Sequence, residues 1–103
     1  MKIIATLVDR IDDEMDGAET YVKLAFENRV EHPRLADKFA ELSEVEMSHM
    51  KTLHGEVTKL IEEIRERDGA PPPEMMAVYN FEHEKQVKRA ALIRQMITDY
   101  KNN

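Results

Sequence analysis

A carboxylate and an imidazole stand three residues apart in the stretch Glu46-Met47-Ser48-His49-Met50. On a helix that spacing puts both side chains on one face, one turn apart, where together they can hold a metal ion. With fourteen glutamates and four histidines in 103 residues, chance alone supplies on the order of half such a pair. Its placement therefore carries the weight. The two residues interrupt an apolar stripe that runs Leu35, Phe39, Leu42, Glu46, His49, Leu53, Val57, Leu60 and Ile64. An inward carboxylate without partner or metal costs several kcal/mol, so this pair calls for a cation or an oligomer interface.

The elements that must position the pair follow from two breaks in the chain. Pro33 biases His32 away from the helical region, and Asp68-Gly69-Ala70-Pro71-Pro72-Pro73 is a strong stop. Three helices are expected, near residues 3–31, 34–67 and 74–101, in one domain over 1–103. The first carries the stripe Ile4, Val8, Ile11, Met15, Ala18, Val22 and Ala25, with Glu19 on its flank. The third carries Met76, Tyr79, His83, Val87, Ala90, Ile93, Ile97 and Tyr100. A short connection makes the first two helices antiparallel, so residues equidistant from a hinge at about His32 lie side by side. Glu19 falls opposite Val45, level with Glu46 to within roughly 5 Å at about 1.5 Å per residue. Glu19, Glu46 and His49 therefore form the expected ligand set.

Composition narrows the class. Few glycines and aromatics, with many Ala, Glu, Lys, Leu and Met, indicate an all-α fold and exclude a sandwich or Rossmann domain. A net charge of −6 argues against nucleic acid and anionic membrane surfaces as partners. No apolar run spans a bilayer, and the start of the chain does not read as a signal peptide, so a cytoplasmic location is expected. Without cysteine there is no thiol nucleophile or zinc-thiolate site. No nucleophile elbow or phosphate loop is visible, which leaves redox chemistry at a metal. The acidic run Asp9, Asp12, Asp13, Glu14 and Asp16 reads as a solvated face, and His32 and His54 as surface residues.

One chain thus offers half of a di-metal inventory, in which two helices each give a Glu and two others each give a Glu-x-x-His. A chain this short also builds a thin core, so a homodimer, or a higher even-numbered homo-oligomer, is expected on both counts. Two hairpins about a two-fold axis would form a four-helix bundle with two Glu19, two Glu46 and two His49 around two metals.

The segments IDDEMDGAETYVKLAFENR and LADKFAELSEVEMSHMKTL, covering residues 9–60, resemble the first helix pair of the ferritin-like superfamily. The layout, with one Glu-x-x-His per short chain, is similar to the encapsulated ferritins. That resemblance implies a di-iron ferroxidase centre assembled at a dimer interface, Glu19, Glu46 and His49 as ligands, oxidation of Fe(II) to Fe(III) by oxygen or peroxide, and an enclosing protein shell. Manganese or zinc also suits these ligands. The sequence departs from the family in its third helix. Phe81-Glu82-His83-Glu84 is similar to a ligand-bearing stretch of longer ferritins, but the linker of six or seven residues is too short for a crossover, so this helix must fold back on the second. That puts His83 and Glu84 beside Val57 and Thr58 and outside the site. Residues 97–103 show no evident cargo peptide. The competing reading is a non-catalytic helical dimer or adaptor whose polar residues set pairing.

Overall fold

The computed structural model describes residues 2–103. They form three helices and no strand, α1 (Lys2–Asn28), α2 (Pro33–Asp68) and α3 (Pro73–Asn102), which is the all-α architecture expected. None of these helices is long and apolar enough to cross a membrane.

The helix ends follow local chemistry. α1 stops at Asn28, earlier than expected, because Pro33 holds His32 in an extended conformation, φ −136°. The chain turns through the four residues before Pro33, and His32 N–H donates back to Asn28 O at 2.9 Å. Pro33 and Pro73 each open a helix at the position where a missing N–H costs nothing. α2 ends where Gly69 takes φ +83°, a left-handed conformation that a side chain resists, and its N–H donates to Arg65 O at 3.0 Å.

α1 and α2 pack antiparallel along a seam of small residues. Ser43 Oγ donates to Ala18 O at 2.7 Å, and both residues are fully buried. α3 then lies in the groove on one side of this hairpin, parallel to α1. Ile93, Ile97 and Ala90 close the core against Ile11, Met15, Ala18 and Val22. Polar contacts fix its register: the Gln86 amide donates to Val8 O and to Asp12 Oδ1, Arg89 pairs with Asp16 at 2.6 Å, and Lys101 pairs with Glu44.

The stripe read on α1 is the one that is buried, through Ile11, Met15, Ala18, Val22 and Ala25. On α2 it is not. The buried line there is Ala36, Ala40, Ser43, Met47, Met50 and Val57, while Leu35 and Leu42 are each 42% exposed. α2 has two apolar faces, and the chain's own α1 covers the one made of smaller residues. On α3, Gln86 is buried where Val87 was expected, and Val87 is 52% exposed. The expected place of His83 was close: it lies against His54, three residues from Val57, and His54 is half-buried rather than a surface residue.

The result is a rod of 56 × 19 × 17 Å with a radius of gyration of 16.5 Å, against the roughly 13 Å of a compact chain of this length.

Near the far end of the rod, Tyr100 packs edge-on against Phe26 and donates its hydroxyl to Asp37 Oδ1 at 2.6 Å. Burial, and then that bond, push its ionisation up to about 12. Because the folded value lies above the unfolded value of about 10, the stabilisation is complete below that unfolded value and is lost as pH rises toward about 12. Denaturant titrations should therefore show stability falling across this alkaline window, and Tyr100→Phe should remove most of the fall.

Candidate metal centre

On the side of the hairpin away from α3, α1 and α2 bring together three groups with metal-ligand chemistry. One oxygen each from Glu14 and Glu46 and one nitrogen of His49 all lie within 4.8 Å of one another. Metal bonds of about 2.0–2.2 Å put donors roughly 3.4 Å apart, so the wider separations would close by up to about an ångström, a shift that His49, 54% exposed at its side chain, is free to make. Two carboxylates and an imidazole suit iron, manganese or zinc.

Glu46 and His49 are thus the expected pair, but in the single chain neither is buried as the stripe implied; Glu46 is half-buried and His49 exposed. Glu19 lies elsewhere. Its carboxylate is 3.7 Å from Lys23 and 3.6 Å from Arg89, on the α1 flank that faces α3. The registers explain both outcomes. Glu14 pairs across the seam with His49, and Glu46 packs on Gly17, so counting from the hinge finds the right level. Azimuth then decides: Asp12, Asp16 and Glu19 line the α3 side of the α1 stripe, and Glu14, Gly17 and Tyr21 line the α2 side, where Tyr21 stacks on Phe39 at 6.2 Å. Glu14, read as part of a solvated acidic face, is only 13% exposed at its side chain. The signal that could have found it is Gly17. A glycine in mid-helix costs stability unless something must come close, and it marks the line Glu14, Gly17, Tyr21 as the one that α2 approaches.

The two carboxyl groups are close enough that their ionisations oppose each other. Their mutual hydrogen bond holds Glu14 below the ordinary carboxylate range, helped by His49 and Arg10, and holds Glu46 above it, with burial adding to the rise. His49 Nδ1 lies 3.4 Å from Glu14, and Arg10 reaches the same carboxylate at 3.3 Å. Glu14 thus lies between the Glu46 carboxyl on one side and Arg10 and His49 on the other.

No family model, curated protein or solved structure matches this chain.

A Cβ added at Gly17 would lie 3.0 Å from Glu46 Oε2 and 3.3 Å from its Cδ. The obstruction is the tip of a flexible side chain, so Gly17→Ala should fold, and should gain up to about 1 kcal/mol of helix stability. It should also push Glu46 off the centre and weaken metal binding. Thermal melts and metal titrations moving in opposite directions would show that Gly17 is there to let Glu46 in.

Proposed function

We propose that this chain is a ferritin-like half-bundle that oxidises Fe(II) to Fe(III) at a di-metal centre, completed when a second copy covers the outer face of the α1/α2 hairpin. The observation that carries the proposal is the convergence of Glu14, Glu46 and His49 on an apolar face that the chain leaves uncovered. On the same side of α2 run Leu35, Leu42 and Val45, exposed by 42%, 42% and 46%, with Tyr21 and Phe39 half-buried toward the hinge. The chain exposes 6907 Å², about 900 Å² more than the roughly 6,000 Å² typical of a compact monomer of its mass. That excess matches the ~800 Å² that each partner gives to a standard interface.

Two copies about a two-fold axis supply four glutamates and two histidines, the inventory of a di-metal carboxylate site. Fe(II) is then both substrate and ligand-bound ion, and bound iron supplies one electron per ion to a two-electron oxidant such as oxygen or peroxide. The chain's residues do the rest. Glu14 and Glu46 would offset the positive charge, any proton held by Glu46 would leave on binding, and His49 would close the site with a neutral nitrogen. The apolar rim limits water once the partner is seated.

Incubating metal-free protein with Fe(II) under exclusion of oxygen, desalting, and running elemental analysis beside light scattering tests the proposal. About one iron per chain in an even-numbered oligomer is expected, followed on admitting oxygen by Fe(III) formation over many turnovers. No retained metal and no oligomer would overturn it. The bare apolar face also favours a second reading, a non-catalytic helical dimer, in which the oligomer forms but no iron is retained.

A further inference from the structure

α2 and α3 border an open cleft of about 160 Å³ on the α3 side of α2. Its walls hold Lys51 and His54 from α2 and His83 and Arg94 from α3, with Ala90 leaving room between them, and no acidic residue lines it. That is unusual surface for a chain of net charge −6. Eight of its fifteen lysines and arginines hold a carboxylate, but Lys51 and Arg94 hold none among the described residues. The nearby acids are engaged elsewhere: Asp12, Asp16 and Glu82 line a separate cavity between α1 and α3, and the Gln86 amide holds Asp12 there.

We propose that the cavity lined by Lys51, His54, His83 and Arg94 binds a small tetrahedral oxyanion of the phosphate or sulfate class. The two unpaired cations, one on each wall, are a point charge and a planar fork, the pair of donors that such ions take. Helical side chains lean toward the N-terminus of their own helix. Because α2 and α3 run antiparallel, Lys51 leans toward the level of Met47 from one side, and Arg94 leans toward Ala90 from the other. The cleft has room for one such ion with a few waters.

The histidines add donors that respond to the ion. His54 Nε2 and His83 Nδ1 are 3.1 Å apart, one ring N–H serving both, and the rings stack at 4.7 Å with Tyr79 against His83. The pair can take one further proton and keep this bond, which turns an outer ring nitrogen into a donor. In the empty cavity, burial and then the neighbouring His83 hold His54 below its ordinary range. An anion offsets both effects. The groups facing the pair are Lys51, Arg94 and Tyr79, with Asp12 of α1 turned away behind Gln86.

The test uses protein freed of metal on a chelating resin, so that it is independent of the iron centre, with inorganic phosphate as ligand at constant ionic strength. Calorimetry and the ring resonances of His54 and His83 should report saturable one-to-one binding, weakened at least tenfold in Lys51→Met and in Arg94→Met. Both residues are exposed, so the variants should keep their helical spectra. Sulfate, whose charge is constant near neutrality, should bind several-fold more tightly about half a unit below the ordinary histidine value of ~6.5 than well above it. Exclusion of glycerol phosphate would assign the site to the free ion, and equal binding to the phosphoryl group of a larger molecule; either upholds it. Binding that is not saturable, that chloride reproduces, or that survives both substitutions would overturn it.

Discussion

Glu46→Ala will lower the affinity for Fe(II) by at least about a hundredfold while leaving the helices intact. Loss of a partner that merely orients a metal ligand costs about 10–100-fold, and Glu46 is a ligand itself, one of three groups within 4.8 Å of one another. In a two-fold assembly the substitution removes two of six. The fold should tolerate it, because Glu46 is half-buried and packs on the backbone of Gly17 rather than on core side chains. Glu14 loses its carboxyl partner but keeps Arg10 and His49. Competition against a coloured chelator reads the affinity, and a melt reads the fold. Glu19→Ala is the informative control: its carboxylate holds Lys23 and Arg89, so iron affinity should not change. Equal losses in the two variants would return Glu19 to the ligand set, and wild-type affinity in Glu46→Ala would remove the centre from this face.

The contrast between Glu14 and Glu19 shows what a helical pattern can carry. Periodicity located the α1 stripe, and the antiparallel hinge located the level, because both depend on the chain's own geometry. Ser43 lies against Ala18 and His49 against Glu14, within three residues and one residue of the count from His32. Which flank of the stripe faces α2 depends on where α3 lies, and no local pattern encodes that. α3 took the flank of Asp12, Asp16 and Glu19 by way of Gln86 and Arg89, so the opposite flank became the site. The same physics governs α2. Its larger apolar residues, Leu35, Leu42 and Val45, make the stronger stripe, yet the chain buries Ala36, Ala40 and Ser43, because small residues let α1 come close. A helix in contact with one neighbour has one stripe. α2 has two, and the stronger stays exposed, which under the proposed function leaves it for a neighbour outside the chain.

That neighbour can be removed without touching a ligand. Leu35→Lys with Leu42→Lys should weaken the dimer at least a thousandfold, so that light scattering finds monomers at micromolar concentration. Each leucine has 42% of its surface left to bury, worth about 1 kcal/mol apiece, and the two-fold axis counts each twice, for roughly 4 kcal/mol in all. At 1.4 kcal/mol per tenfold this alone approaches a factor of about a thousand. The lysines add repulsion, since an isologous interface sets each charge near its own copy. Within the monomer both leucines are exposed, so circular dichroism and the contact of His49 with Glu14 should persist, and each chain should still hold a metal weakly through three ligands. Turnover should fall further than binding, at least about a hundredfold, since a lone half-site cannot bring two iron ions to one oxidant. The two substitutions thus separate the readings from opposite ends. Under the di-metal reading, Glu46→Ala loses iron but keeps the dimer, and the lysine variant loses the dimer and with it the oxidation. A lysine variant that stays dimeric would move the partner to another face, and a Glu46→Ala variant that falls apart without metal present would make the glutamate a pairing device.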